Sequence, residues 1–188
     1  MQLKIVKEDG SDIATDDVFI INLCLQTMWK EVQVFWQNRA VSMGHLHPYK
    51  AMIDTLLSYG YDSISTQLQM QAYFKETANY MDKPNTSRKS LTEGGKSVQL
   101  EGSLMVDVCQ QPFLIPNGVQ VRIKLVPHSH AFCLNSSIVD TKYKLKVEDV
   151  KFLACLVTLN PEDQGKVEER LKKTTLKYPI QGDRKSVV

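Results

Sequence analysis

Alternating apolar and polar residues predict a strand from Val119 to Val126. Apolar side chains occupy every second position of this segment, which gives the strand one apolar face and one polar face. Asn117 and Gly118 precede the strand, and both residue types tolerate the positive φ angles of a tight turn. This alternation is typical of a strand that packs its apolar face against a core, and the segment carries no catalytic motif.

The same alternation predicts a hairpin earlier in the chain. Val32, Val34 and Trp36 alternate with polar or part-polar neighbours, and Gln37–Arg39 can turn the chain into a second strand. Residues 20–29, just before this hairpin, fit the spacing of a helix and that of a strand equally well.

Further strands are predicted at both ends and in the second half of the chain. A short first strand contains Leu3 and Ile5, and residues 97–108 form another that Gly102 interrupts as a bulge or bend. A long strand is predicted from Tyr143 to Leu159. Its continuous apolar run at 152–157 is typical of a strand buried on both faces. The final short strand is predicted at Leu176–Ile180.

Three helices are predicted, near residues 48–59, 66–76 and 161–173. Pro48 suits a first helical position and Gly60 a helix end. The apolar stripe of this first helix comprises Tyr49, Met52, Ile53, Leu56 and Leu57. The helix from Pro161 to Lys173 has Asn160 as its N-cap, acidic residues in its first turn and basic residues in its last, so its charges complement the helix dipole.

The pattern as a whole predicts a mainly β, antiparallel domain over residues 1–180, followed by a polar tail at 181–188. The chain has 188 residues, of which 43% are hydrophobic, and this suits one domain with one core. Residues 79–96 are rich in Pro, Asn, Ser, Gly and charge, which predicts a long mobile loop.

Charge and hydropathy exclude few classes of protein. The formal net charge of +2 indicates no strong general attraction to nucleic acid or to an anionic membrane. No window approaches the roughly 20 apolar residues of a membrane span, and the first residues lack the apolar core of a signal peptide. We therefore expect a soluble protein of the cytoplasm or nucleus without a membrane partner.

The four cysteines are expected to be buried, reduced thiols. They lie within or beside apolar runs, and no C-x-x-C pair occurs. The cysteines are Cys24, Cys109, Cys133 and Cys155. Cys133 is a weak candidate for a thiol-protease nucleophile, because its neighbours Phe132 and Leu134 favour burial over reactivity.

All four histidines occur as two His-x-His pairs, and they are the only candidates for a metal site. They are His45, His47, His128 and His130. Two imidazole pairs could close a tetrahedral zinc site, but both pairs are predicted in loops beside prolines, where solvated histidines are ordinary. We expect no metal, no cofactor, no small-molecule substrate and no catalytic residues.

Two further motifs are weak. Glu93–Ser97 ends like a phosphate-binding loop but lacks the earlier glycine and the flanking strand and helix of that motif. The basic residues of the central loop could contact phosphates and so bind nucleic acid weakly. These residues are Lys83, Arg88, Lys89 and Lys96. Trp29, Phe35, Trp36, Tyr73 and Phe74 follow strand and helix periods, so core packing explains them better than a base-stacking surface.

Several blocks of the chain resemble the hexon-like, double jelly-roll major capsid proteins of Polinton/Maverick elements and adintoviruses. The most specific block runs from Pro48 to Gly60. The others are Asn22–Trp36, Ser65–Leu68, Leu114–Val126, Ala131–Leu134 and Lys177–Ile180. Their order and spacing are similar to the family over nearly the whole chain. The histidine pairs match no family feature.

This resemblance implies an antiparallel jelly-roll-type sandwich with helical insertions, serving as a shell subunit and not as an enzyme. The family's chains carry an earlier first strand and a second jelly roll, so we expect a copy truncated at both ends or decayed. Its partners would be other capsid-type subunits, and it would reach the virion in an active element. The alternative is a host-retained module that binds protein or nucleic acid through residues 79–96.

Overall fold

The computed structural model describes residues 1–13, 17–75, 86–136, 142–175 and 177–178 of the chain. The strands are β1 (Gln2–Lys7), β2 (Val18–Ile20), β3 (Trp29–Trp36), β4 (Arg39–Gly44), β5 (Val98–Gln99), β6 (Val121–Pro127), β7 (Leu134–Ser136) and β8 (Tyr143–Asp149). The helices are α1 (Cys24–Thr27), α2 (His47–Ser58), α3 (Tyr61–Ser65), α4 (Thr86–Thr92), α5 (Asp107–Gln110), α6 (His130–Cys133) and α7 (Pro161–Lys173), and two 3-10 turns lie at Gln69–Gln71 and Glu93–Gly95.

The described strands form three small sheets in which every pairing is antiparallel. Their strand orders are β5-β1-β8, β2-β7 and β4-β3-β6. The antiparallel arrangement predicted from the sequence is therefore confirmed. Helices are more numerous than predicted, because short helices connect most of the strands. The described residues form a mixed domain of small antiparallel sheets and helices.

Three of the long-range strand pairings are nested in chain order. The first strand, β1, pairs with the last, β8; β2 pairs with β7; and β3 pairs with β6. The chain thus runs out through β1, β2 and β3 and returns beside the same strands in reverse order. Most sheet contacts consequently join residues far apart in sequence.

The main core lies between the sheets and is built by the inward faces of their central strands. Leu3 and Ile5 of β1, Ile20 of β2 and Val32 of β3 are each fully buried in it. A second, smaller cluster contains Leu23, Ala51 and Leu68 and joins α1 to α2. Leu23 has a φ of 55°, a left-handed conformation that is unusual for leucine, and its side chain is fully buried.

The hairpin prediction is confirmed by β3 and β4, which pair from Val32 to Trp36 with a register shift between Val34 and Phe35. Gln37 takes a positive φ of 54° in the turn. The turn at Asn117 and Gly118 is also present, with Gly118 at a φ of 85°. β6 follows it, and its partner is the distant β3.

Helix α2 has nearly the predicted bounds but buries a different face. Its buried residues are Pro48 and, at intervals of four, His47, Ala51 and Thr55. The predicted apolar stripe instead lies largely in solvent: Ile53 is 54% exposed and Leu57 is 81% exposed. Thr55 can be buried because its hydroxyl donates to the carbonyl oxygen of Ala51 at 2.8 Å.

Several predicted elements differ in the structure. The helix predicted over residues 66–76 is absent from the described part of that range, which contains only the 3-10 turn at Gln69–Gln71; α3 ends before it, and Glu76 lies outside the described residues. The strand predicted over 97–108 is reduced to β5, because the chain then turns past Gln71 and enters α5. The predicted loop at 79–96 contains α4 from residue 86 onward, while residues 79–85 are outside the described part.

The C-terminal predictions have mixed outcomes. α7 is confirmed at Pro161–Lys173, with acidic residues in its first turn and basic residues in its last. The long strand predicted from Tyr143 to Leu159 ends at Asp149. Of the predicted strand at 176–180, only residues 177 and 178 are described, and they are not in a strand; the tail at 181–188 is outside the described residues.

Gly102 marks a close approach between two segments. A Cβ atom at this position would lie 2.3 Å from Cδ of Gln71, well inside van der Waals contact. We expect Gly102→Ala to lower the free energy of unfolding by about 1–3 kcal/mol, because the buried Gln71 side chain would have to shift. Urea unfolding measures this change. Gly165→Ala in α7, where nothing lies within 4 Å, is the control and should be neutral or stabilising.

Candidate functional site

The four histidines lie in three separate environments. His47 is buried at the start of α2, and its Nε2 atom lies 3.2 Å from Oε1 of Gln26. His45 contacts Glu31 at 3.4 Å, and this hydrogen bond holds the pKa of the Glu31 carboxyl below its usual range. Among the described residues, no three histidine, cysteine or acidic side chains are grouped as metal ligands would be.

The second pair is tied into the end of β6 and the start of α6. His128 stacks on the ring of Phe132 with centroids 3.8 Å apart, and His130 Nδ1 accepts a hydrogen bond from the backbone N–H of Leu145 at 3.1 Å. The interpretation of both pairs as solvated loop histidines is wrong for His47, which is buried in the first turn of α2. His130 is exposed, but it is the first residue of α6 and does not lie in a loop. His47 is buried because α2 turns that face toward α1.

A buried polar cluster joins α1, α2 and two loop segments. Gln26 is 1% exposed, and its Nε2 atom donates to Oε1 of Gln71 at 2.9 Å and to the carbonyl oxygen of Ser103 at 2.8 Å. Its Oε1 atom accepts from the backbone N–H of Met105 at 3.4 Å and faces the His47 ring. A backbone carbonyl can only accept, so the amide orientation of Gln26 follows, and the His47 nitrogen facing it carries a proton. The hydrogen bonds of the cluster therefore hold α1, α2 and the two loop segments together.

Sequence reasoning did not identify this cluster. The available signal was Gln26 itself, a polar residue inside the apolar segment 20–29 whose other members pack inward. Gln71 and Ser103 approach Gln26 only through the folded chain, so no local pattern could pair them. The contacts described within the cluster are hydrogen bonds that satisfy buried polar atoms.

The cysteines divide into two buried and two exposed thiols, and all four are free. Burial raises the pKa of Cys24 strongly and that of Cys133 to about 11, so both are protonated and unreactive at neutral pH. The burial predicted for Cys109 and Cys155 is wrong: Cys109 ends up on the surface of α5, and Cys155 lies in a segment that no described element covers.

The three described basic residues of the central segment lie in different environments. Arg88 is 8% exposed, with its guanidinium 5.7 Å from the centre of the Phe19 ring. Lys89 forms an ion pair with Asp17 at 2.7 Å, and Lys96 is exposed. Lys83 lies outside the described residues. Of these three described basic residues, Arg88 is therefore packed against an aromatic ring and Lys89 is engaged in an ion pair.

The aromatic residues predicted to pack in the core do so in part. Trp29 and Tyr73 are buried, while Phe35, Trp36 and Phe74 are half-buried. Trp36 also packs edge-on against Tyr178 with ring centroids 4.7 Å apart, and Tyr178 donates its hydroxyl to the carbonyl oxygen of Leu114 at 2.8 Å.

Many large apolar side chains of the described residues are exposed to solvent, and most of them lie in two parts of the chain. One part is the outer face of α2, formed by Tyr49, Ile53, Leu56 and Leu57 together with Leu46 just before the helix. The other is residues 150–159, named here the apolar arm, where Phe152 is 63% exposed, Leu153 is 77% exposed and Leu156 is 90% exposed. Surface patches of this kind mark sites of association.

The apolar arm corrects the prediction that residues 152–157 form a strand buried on both faces. In the structure they are exposed and outside any strand. The described residues form no backbone hydrogen bond between the arm and another segment. The composition that favours burial on both faces is present, but the described residues of this chain do not cover the arm.

Comparisons with protein-family models, with curated proteins and with solved structures found no match to this chain. Among the described residues, no helix is both long and apolar enough to cross a membrane.

Proposed function

We propose that the chain is a structural, capsid-type shell protein of a virus-like mobile element, similar to the hexon-like capsid proteins of Polinton/Maverick elements and adintoviruses. The observation that carries the proposal is the nested pairing of β1 with β8, β2 with β7 and β3 with β6. A jelly roll is a long antiparallel hairpin wrapped on itself, so its strands pair in the same first-to-last order.

Two departures from a complete jelly roll accompany this order. β4 forms a hairpin with β3, and β5 pairs with β1, so the strands lie in three small sheets where a sandwich has two packed ones. Of the three helical insertions expected, those near residues 48–59 and 161–173 are present as α2 and α7, while residues 66–75 contain only a 3-10 turn. The block from Pro48 to Gly60 is α2, and Ala131–Leu134 leads from α6 into β7.

The exposed apolar surface supports a role in assembly. Isolated subunits of a shell must keep in solvent the surfaces that neighbouring subunits cover, and the α2 face and the apolar arm have this character. The outer edge of β6 in its sheet adds unpaired backbone groups that invite pairing with another chain. The partners proposed are therefore other capsid-type subunits.

We expect the purified chain to associate in a concentration-dependent way into irregular oligomers, without closing uniform shells on its own. Size-exclusion chromatography with light scattering, followed by electron microscopy, measures this. A stable monomer at about 100 μM, well above the micromolar range of ordinary protein–protein contacts, would contradict the proposal. Uniform shells would show that this single domain closes shells without further subunits.

The alternative, a module that binds nucleic acid through residues 79–96, predicts a different result. Binding to single- and double-stranded DNA would then fall steeply with salt and would weaken in Lys89→Ala and Lys96→Ala. Because Lys89 is paired with Asp17, we expect no such dependence. Salt-dependent binding that both substitutions reduce would favour the module over the shell protein.

A further inference from the structure

The side chain of Tyr178 is bound at a small aromatic site on the domain. Its ring lies edge-on to the Trp36 ring, with centroids 4.7 Å apart, and edge-on to the Phe113 ring at 6.3 Å. Its hydroxyl donates to the carbonyl oxygen of Leu114 at 2.8 Å. The two rings contact the aromatic part of tyrosine and the carbonyl accepts from its hydroxyl, so the site matches both features of this side chain.

The site is built from two parts of the chain. Trp36 is the last residue of β3, where it pairs with Arg39 of β4 and with Val121 of β6. Phe113 and Leu114 lie in the segment between α5 and β6. Because β3 has a paired strand on each side, the backbone of Trp36 is held in place without any contribution from Tyr178.

Between the end of β8 and Tyr178, the chain has little hold on the domain. Every described residue from 150 to 175 is exposed, and α7 has no buried residue. Apart from an ion pair of Lys151 with the neighbouring Asp149, the hydrogen bonds and ion pairs described for residues 150–175 lie within that segment. Residues 150–175 together with Lys177 and Tyr178 are named here the strap.

We propose that Trp36, Phe113 and the Leu114 carbonyl form a binding site for a tyrosine side chain, which closes the strap onto the domain through Tyr178 alone. The occupant is a segment of this chain and is bound in the structure. Release of Tyr178 uncovers the Trp36 ring and leaves the strap joined to the domain only at the end of β8. The inference goes beyond the proposed function and does not depend on it.

The strength of the contact places the strap near the balance between open and closed forms. The closing constant is the effective concentration of Tyr178 at its site divided by the dissociation constant of the same contact between separate molecules. A flexible tether gives an effective concentration of about millimolar order. Two ring contacts and one hydrogen bond give a dissociation constant of about the same order. Both forms are therefore populated.

The closed form also contains an unfavourable feature at Trp36. The indole N–H of Trp36 is buried and has no hydrogen-bond acceptor among the residues described. A buried donor without a partner destabilises the form that contains it. Water can satisfy the indole once the ring packed against it leaves, so this N–H favours the open form.

The first test is fluorine NMR of the chain labelled with fluorotryptophan, which gives one signal for Trp36 and one for the buried Trp29. We expect Tyr178→Ala to move the Trp36 signal to its open position. Tyr178→Phe loses one hydrogen bond and should lower the closing constant about fivefold. The Trp29 signal should stay in place, which verifies the fold. Tyr61→Ala, at a tyrosine of α3 that is 77% exposed, is the matched control and should move neither signal.

The second test measures whether the site recognises tyrosine apart from the strap. N-acetyltyrosinamide, added to Tyr178→Ala at about ten times the expected millimolar dissociation constant, should return the Trp36 signal toward its position in the parent. N-acetylphenylalaninamide lacks the hydroxyl and should bind about fivefold more weakly. Equal binding of the two amides, or no binding of either, would overturn the tyrosine site.

The third test measures whether Tyr178 is the only anchor of the strap. Nitrogen relaxation of the α7 backbone amides reports how freely the helix moves relative to the domain. We expect these amides to become more mobile in Tyr178→Ala and to be unchanged in Tyr61→Ala. Unchanged mobility in Tyr178→Ala would overturn the single anchor, and an unmoved Trp36 signal would overturn closure by Tyr178. Neither result bears on the shell protein, whose test is self-association.

Discussion

Gln26→Leu is expected to lower the free energy of unfolding by at least about 3 kcal/mol. Leucine has a similar volume but cannot hydrogen-bond, so it would leave unpaired the Gln71 side-chain oxygen, the Ser103 carbonyl and the Met105 N–H. Each buried polar group left without a partner costs about 1–3 kcal/mol. Urea unfolding followed by circular dichroism, at low micromolar concentration to limit association, measures the change.

Gln33→Leu is the matched control for this experiment. Gln33 is half-buried in β3, and its amide donates to the Glu31 carboxylate near solvent at 2.9 Å. Loss of that contact should change the free energy of unfolding by less than about 1 kcal/mol, because water can replace it. Equal effects of the two substitutions would show that the Gln26 cluster adds no special stability.

Local signals were sufficient where they mark the ends of an element. Helix α7 begins at Pro161 and ends at Lys173 as predicted, since its N-cap position, proline and end charges all act within one turn of the helix ends. The hairpin of β3 and β4 is equally local, because its strands alternate and the two residues Gln37 and Asn38 reverse the chain between them. These elements needed no information from the rest of the fold.

Helix α2 shows what local signals could not predict, which is the face that a helix buries. Pro48 and Gly60 located the helix, but the choice of its buried face depends on the neighbouring α1. There Gln26 offers a hydrogen-bond acceptor to His47, and Ala51 and Thr55 are small enough for close packing. Hydrophobicity ranks Ile53 and Leu57 above these three residues, so the sequence pattern predicted the opposite face. The Gln26 cluster was missed for the same reason: its members meet only in three dimensions.

The apolar arm illustrates a different limit. The run from Phe152 to Val157 has the composition of a strand that is buried on both faces. Composition cannot show which chain provides the cover, and in this structure the run is exposed. Exposure of a segment with the composition of a buried strand is what makes association the proposed role of this surface.

The buried His47 ring makes the free energy of unfolding depend on pH. Burial, with a further contribution from the nearby positive charge of Lys50, lowers the pKa of His47 from 6.5 to about 4. In the unfolded chain the ring takes up a proton near pH 6.5, whereas in the folded chain it stays neutral until about pH 4. Between these values the unfolded state binds more protons, so the free energy of unfolding falls as the pH falls.

We expect His47 to remove about 3 kcal/mol from the free energy of unfolding between pH 7 and pH 4, at about 1.36 kcal/mol for each unit of pKa shift. Carboxylates also titrate in this range, so the measured quantity is the difference in pH dependence between the parent and His47→Gln. The glutamine amide can still donate to Gln26 but does not ionise, so the variant should lose less stability on acidification. His128→Asn, at a half-buried ring stacked on Phe132, is the control and should follow the parent. Parallel curves for the parent and His47→Gln would show that the ring gains its proton without unfolding the cluster.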